Sequence, residues 1–269
     1  MKRVRMQVGP VRMSLRAGPL RLVENFVVIP AWLCNSGRMT TLVIATRNRH
    51  KVEEIGAILG GAFHCLSLAD FPDAPAVIED APTFAGNATK KAVQLARHLS
   101  SSTSRDPLLK LPIFVLADDS GLEVDALDGA PGVHSARFAA LDRTANSSDA
   151  DNNAKLLRLL KDVPADKRTA RFRCVLALTP VLESSGENAS PVCATDEFEL
   201  QTELFDGTCE GRIGFAPAGQ GGFGYDPLFI PDGWKQSFGE LGEEIKNGLS
   251  HRAKALAKLR EQLRKRGLQ

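Results

Sequence analysis

The stretch IFVLADDSGLEVDAL, residues 113–127, decides how the rest of the chain is read. Its opening, 113–117, is an apolar, β-prone run that fits a buried strand. The run meets two adjacent carboxylates, Asp118 and Asp119, followed at once by Ser120 and Gly121. A buried carboxylate is costly unless something pairs with it. Either the strand surfaces into a polar turn at Ser120–Gly121, or the carboxylates hold a metal ion; Mg2+ favours carboxylate and water oxygens as ligands. GLEVDAL beyond the turn alternates like a further strand.

Working outward, TLVIAT (41–46) reads as a strand, and Asn48 is placed to cap the helix KVEEIGAILG that ends at Gly60-Gly61. AFHCLSL (62–68) reads as a strand, and a proline-rich loop (71–82) leads to a helix starting near Thr83. There Ala85, Ala88, Ala92, Leu95, Ala96 and Leu99 share one face. SSSTSRDP (100–107) reads as a polar loop. DADNNAKLLRLLKDV (149–163) reads as a helix, and RFRCVLALT (171–179), DEFELQTELF (196–205) and DPLFI (226–230) as strands, with a Ser/Gly/Asn-rich loop between the first two. Ser250 caps a last helix carrying Leu256, Leu259 and Leu263 on one face. Helices and strands mix without strict alternation. The fold class expected is α/β (mixed α+β): a single elongated domain with a central mixed, twisted sheet flanked by helices.

Charge divides the chain. Residues 1–38 carry seven Lys/Arg against Glu24, leaving 27 basic and 31 acidic residues in 39–269. The acidic body argues against a nucleic-acid-coating surface, and 1–38 read as a poorly ordered extension ahead of a domain beginning near Met39. Five scattered cysteines, Cys34, Cys65, Cys174, Cys193 and Cys209, show no CxxC pair and point to reduced thiols in a cytosol-like compartment. No apolar run approaches the ~20 residues of a membrane span.

Four polar stretches carry chemistry. ATRNRHK (45–51) joins a strand to a helix start, where backbone N–H groups and Lys51 attract anions, although no Walker A pattern is present. ADDSG offers carboxylates. GQGGFGYDPLF (219–229) matches G-x-G-x-x-G at Gly219, Gly221 and Gly224 but precedes a strand rather than a helix, so a dinucleotide fold fails on context. Its glycines beside Phe223 and Tyr225 suit a flat base stacked on a ring. KNGLSHRAKAL (246–256) gathers Lys246, His251 and Arg252. Each stretch alone is weak. Together they are the parts of a metal-dependent nucleotide enzyme.

The stretches VIATRNRHKVEEI, TFAGNATKKA, ADDSGLEVDALDGAPGVHSARFA, FDGTCEGRI, GFGYDPLF and SHRAKAL, in this order, resemble the inosine triphosphate pyrophosphatases, also called Ham1-like or dITP/XTP pyrophosphatases. The resemblance runs from about residue 41 to about residue 263. It implies hydrolysis of ITP, dITP and XTP to monophosphate and pyrophosphate, a Mg2+ cofactor, and a cytoplasmic homodimer without nucleic-acid or membrane partners. Carried over, it makes Asp119 the proton acceptor and a Mg2+ ligand, with Glu79, rather than Asp80, as the second ligand. The loop Thr46, Arg47, Asn48, Arg49, His50 and Lys51 and the adjacent Ser120 contact the substrate. Phe223, Gly224, Tyr225 and Asp226 bind the nucleoside, and Lys246, His251 and Arg252 complete the site. His251 and Arg252 are expected to donate to the 6-oxo group of the base. Two positions depart from the family: Arg47 replaces a usual glycine, and Gly86 a usual glutamate. The alternatives are a Maf-like pyrophosphatase acting on other modified nucleotides, and a nucleotide-binding regulator whose catalysis is impaired.

Overall fold

Six strands among the described residues form one sheet in the order β2-β1-β3-β4-β5-β6. They are β1 (Thr41–Ile44), β2 (His64–Ser67), β3 (Ile113–Val124), β4 (Thr169–Pro180), β5 (Glu203–Ile213) and β6 (Phe229–Pro231). In this computed structural model the described residues are 39–102, 112–140, 146–182 and 197–268. The expected extension 1–38 lies outside them, as do residues 103–107 of the polar loop and 183–195 of the Ser/Gly/Asn-rich loop. The sheet is mixed: β1 pairs in parallel with β2 and β3, and β3 through β6 pair antiparallel.

Helices cover both faces of the parallel part, which is why TLVI is apolar at all but its first position and buried at all four. On one face lies α2 (Phe84–Ser102), whose Ala88, Ala92, Leu95 and Leu99 pack on Val43, Val115, Ala117, Val175 and Ala177. Opposite lie α1 (Arg49–Leu59), through Ile55 and Leu59, and the final helix, through Ala255, Leu256, Leu259 and Leu263. That helix is α6 (His251–Lys265); before it come α3 (Asp149–Leu159), α4 (Glu197–Leu200) and α5 (Phe238–Leu249). A third cluster joins Leu122, Leu156, Phe172, Phe229 and Phe238 at the far end.

Three expectations need correction. The carboxylate pair does not end a strand, because β3 runs through Asp118–Gly121 and pairs with β4 from Phe114 to Val124. Cations from other elements pair both carboxylates, so no turn is needed to solvate them. Residues 196–205 are not one strand: Glu197–Leu200 is a helical turn with Phe198 packed on the α2 cluster, and β5 starts only at Glu203. DPLFI gives a strand only at Phe229–Pro231, because Asp226 is folded into the preceding loop. One helix went unread: α5 starts at a Ser237–Glu240 capping box, and Gly242, at φ 78°, interrupts its helical backbone.

Contact between α6 and β5 requires Gly207. A Cβ there would collide with the His251 carbonyl and come 2.7 Å from Ala255 N. Gly207→Ala is expected to push α6 off the sheet and cost roughly 1–3 kcal/mol, the range for overpacking. Urea unfolding measures this, and an unchanged midpoint would mean that the helix does not rest on this strand.

Candidate active site

Successive side chains of a strand point to opposite faces, so Asp118 and Asp119 serve different partners. Asp118 continues Phe114 and Leu116 onto the α1/α6 face, where it is 1% exposed. Its Oδ2 accepts from Arg252 Nε at 2.9 Å and from Cys174 Sγ at 3.1 Å, and its Oδ1 accepts from Ser120 Oγ at 2.9 Å and from Lys51 Nζ. Burial alone would raise its pKa; Arg252 and Lys51 outweigh burial and hold it well below the usual carboxylate range. With its oxygens so occupied, Asp118 is a structural anion rather than a metal ligand.

Asp119 continues Val115 and Ala117 onto the α2 face. Its Oδ1 accepts from Lys91 Nζ at 3.0 Å and its Oδ2 from Asn87 Nδ2 at 3.3 Å. The same ammonium reaches Glu79 Oε2 at 2.8 Å. Two carboxylates thus converge on one cation. Burial pushes the Asp119 pKa up to about 6 against the pull of Lys91 and Lys51. Glu79 is also opposed by burial, but Lys91 takes its pKa below the ordinary value. Of the two, Asp119 takes a proton first.

These groups line a cleft in two halves. One holds Thr46, Arg47, Asn48, Lys51, Glu79, Lys91, Asp119 and Arg137. The other holds Phe223, Gly224, Tyr225, Asp226, Lys246, His251 and Arg252. Asn48, Lys51, Ser120 and Ala136 border both, so the halves are continuous. In the first, Thr46 Oγ1 accepts from Asn48 N at 3.1 Å and Asn48 Oδ1 caps α1 through Lys51 N at 3.3 Å. Arg47 is not among the residues with positive φ, so arginine in place of the family's glycine carries no backbone strain; its Nη2 donates to Ala74 O at 3.3 Å. At Gly86 a Cβ would lie 2.8 Å from that of Ala81, so glycine lets the segment after Glu79 sit close on α2.

The loop before β6 is bound at several points. Asp226 Oδ2 accepts from Phe223 N at 2.9 Å and Lys246 Nζ at 2.7 Å. At Gly224 the backbone donates to Asp149 Oδ2 at 2.7 Å and accepts from Asn153 Nδ2 at 2.9 Å. Phe223 is left as the shelf, with Lys246 Nζ 4.5 Å from its ring centre and the His50 ring stacked on it at 5.5 Å. Tyr225 is buried, with its hydroxyl donating to Ser135 O at 2.9 Å, so it props the loop instead of stacking.

Two expected contacts, Arg49 and His50, lie outside both halves of the cleft, while Arg252 and His251 line it but are buried. Arg49 borders neither half of the cleft: its side chain is 87% exposed and pairs with Glu53 one helical turn along. His50 reaches the site only through Phe223. Arg252, 1% exposed, donates through Nε to Asp118, through Nη1 to Glu54 Oε2 at 2.5 Å and through Nη2 to Ser120 Oγ at 3.0 Å. Its first role is to hold the fold around the base half. His251 is buried and stacked on Phe172 at 4.8 Å. Burial, with Arg252 and Lys246 nearby, drives its pKa well below the ordinary histidine value, so the ring is neutral.

Sequence reasoning missed Lys91, Asn87, Glu54, Asp149, Asn153 and Arg137. The i, i+4 spacing of Asn87 and Lys91 beside the alanine face of α2 was an available signal.

A sequence model of the Ham1 family matches residues 42–262. The chain is 46% identical over 232 residues to a dITP/XTP pyrophosphatase of Geobacter sulfurreducens, covering 86% of this chain and 100% of that one. It is 47% identical over 225 residues to a dITP/XTP pyrophosphatase of Geobacillus kaustophilus, covering 83% and 94%. A HAM1 protein from Coxiella burnetii superposes with TM-score 0.65 at 32% identity, covering 84% of this chain and all 100% of that one.

Arg252→Ala leaves the buried carboxylates of Asp118 and Glu54 short of a partner. It is expected to cost roughly 3–5 kcal/mol of stability, well beyond a change confined to base contact. Denaturant unfolding checks this; a variant as stable as wild type would show that Asp118 is adequately paired without it.

Proposed function

The chain belongs to the Ham1 family, and on that footing we propose that it hydrolyses the deaminated purine nucleoside triphosphates ITP, dITP and XTP to the monophosphate and pyrophosphate. One observation carries the reading: a carboxylate whose pKa is lifted to about 6 lies in the cation-rich half of a cleft, next along the chain to Ser120, which borders the aromatic half as well. Triphosphate fits the first half and a flat base the second.

Mg2+ is the cofactor we propose, held by Glu79 and Asp119. The fit rests on their convergence on a single ammonium and on the charge left over, two carboxylates against one lysine. Among the described residues no third carboxylate, histidine or cysteine joins them, which suits a cation that keeps waters and takes phosphate oxygens as its remaining ligands. When bound, it offsets charge on the phosphates.

The chain's own residues supply the rest. The α1 start and Lys51 orient the phosphates. The Asp119 carboxylate takes the proton of the water that attacks the α-phosphorus; the bond to the bridging oxygen breaks, and pyrophosphate leaves. Lys91 and Asn87 fix the direction of that carboxylate. Phe223 stacks on the base. The neutral ring of His251 and the ammonium of Lys246 are the polar groups available to its edge.

We read the protein further as a cytoplasmic homodimer. The free thiols of Cys65, Cys174 and Cys209 support a reducing compartment. Among the described residues no helix is long and apolar enough to cross a membrane. The dimer rests on the family resemblance, and light scattering on the purified chain tests it.

Asp119→Asn is expected to lower kcat at least ~10²-fold, as when a positioned base is removed; near-normal turnover would discard both its roles. The wild-type kcat/KM should rise with pH through about 6 at limiting divalent cation, and the step should move to lower pH as the cation saturates. Stability follows the opposite sign. A carboxyl whose folded pKa is raised favours the fold at low pH, and that contribution is lost as pH climbs through about 6.

Donors at the base edge accept a 6-oxo group and clash with a 6-amino group. The expected kcat/KM for ITP or XTP is therefore at least ~10²-fold above that for ATP. Steady-state assays with pyrophosphate as the measured product check this. Equal rates on ATP, or orthophosphate as the primary product, would overturn the reading.

A further inference from the structure

Two arginines line the phosphate half of the cleft, Arg47 from the β1–α1 loop and Arg137 from the segment after β3. Their surroundings differ from those of the lysines beside them. Lys51 is paired with Asp118, and Lys91 with Glu79 and Asp119. Neither arginine has a carboxylate partner among the described residues. Arg47 donates only from Nη2, to Ala74 O at 3.3 Å. Arg137 donates only from Nη2, to Glu79 O at 3.2 Å and His134 Nδ1 at 3.3 Å. Among the described residues no acceptor meets its Nε and Nη1 hydrogens.

Arg137 is also held in place. Its backbone, at φ −123° and ψ 22°, breaks the helical run between Gly132 and Ala140, and the side chain is partly buried. The bond to the Glu79 backbone carbonyl holds the guanidinium in the half of the cleft that contains Glu79 and Asp119. A partly buried full charge without a counter-ion is unfavourable unless a ligand completes it. The planar fork of a guanidinium matches phosphate oxygens, and two forks can serve two phosphoryl groups.

We propose that Arg137, together with Arg47, binds the β- and γ-phosphates, so that the enzyme recognises the leaving pyrophosphate and reads the length of the phosphate chain. The proposal deepens the pyrophosphatase reading and rests on it for the direction of the substrate. Lys51, close to Asp119 and bordering both halves, then faces the α-phosphate.

Arg137→Gln keeps a donor for the Glu79 carbonyl and removes the charge. Calorimetric binding of pyrophosphate in the presence of Mg2+ should weaken about tenfold or more, as expected for losing a charge-assisted bond to phosphate. Binding of IMP should stay within about twofold. In turnover, the ratio of kcat/KM for ITP to that for IDP should shrink by a similar factor, and Arg137→Lys should restore part of it. A purely structural role would weaken IMP and pyrophosphate together and leave the ITP-to-IDP ratio unchanged. Either result overturns the proposal. The binding arm needs no turnover. A wild type that binds pyrophosphate through Arg137 but does not split ITP would sink the parent reading and leave this contact standing.

Discussion

The guanidinium of Arg252, buried at the start of α6, is the point on which the site depends. It ties α6 to β3 through Asp118 and Ser120, and to α1 through Glu54. Lys246, on α5, also approaches Glu54, at 3.7 Å, and it holds Asp226 of the aromatic loop. Three helices, the central strand and the base shelf thereby share one ion network. Its charges balance: Asp118, Glu54 and Asp226 against Arg252, Lys246 and Lys51. Such a network adds little net stability over an apolar core of the same shape. What it fixes is geometry, because each ion has partners in only one arrangement of the helices.

Balance at that end throws the imbalance elsewhere into relief. Around Lys91 there are two carboxylates for one ammonium, an excess of negative charge that favours an added cation; burial raises the Asp119 pKa against that shared ammonium, with a smaller push from Glu79, while Arg252 and Lys51 outweigh burial at Asp118. Arg47 and Arg137 are cations without counter-ions among the described residues. Along the cleft the local charge passes from neutral at the base shelf to negative at the carboxylate pair and positive beyond. A nucleoside triphosphate with a divalent cation near its phosphates presents the complementary sequence, which allows its orientation to be set by electrostatics before close contacts form.

Much of this was legible locally. The Asn48 cap, the alanine face of α2, the leucine face of α6 and the mixed sheet all follow from spacing over a few residues, and the motif order carried the family. The remainder depends on partners far apart in the chain. Whether a carboxylate ends a strand depends on what pairs it, and the cations on Asp118 come from 67 and 134 residues away. Adjacent like residues hid roles for the same reason. Lys90 turns out to Asp80 while Lys91 turns in to Asp119; Glu53 pairs Arg49 on the surface while Glu54 is buried on Arg252. A one-residue step on a helix is a rotation of about 100°, and which of two neighbours faces inward is settled only by the packing of the whole helix. In α5 the Ser237–Glu240 capping box was an available local signal that the reading missed, and Gly242, at φ 78°, interrupts the helix it starts.

The unbroken course of β3 gives Asp119 its character. A turn after Asp118 would have exposed both aspartates to water and left them alike. A strand instead sends them to opposite faces, so that one residue of separation along the chain becomes a change of environment. Asp118 meets a guanidinium and an ammonium and is locked as an anion. Asp119 meets a lysine already shared with Glu79, and desolvation prevails. Gly121 makes this course possible, since a Cβ there would strike Ser135 and the Gly132 carbonyl of the segment that carries Arg137. The strand therefore acts as a partition between a charge-balanced ion network and an under-compensated one, and Lys51, which touches Asp118 and lowers the pKa of both aspartates, lies at the edge where the two meet. An anionic substrate that draws on Lys51 would loosen its hold on both carboxylates at once. Asp118 retains Arg252, whereas Asp119 is left with Lys91, which it shares with Glu79, so the proton affinity that rises more on phosphate binding is that of Asp119.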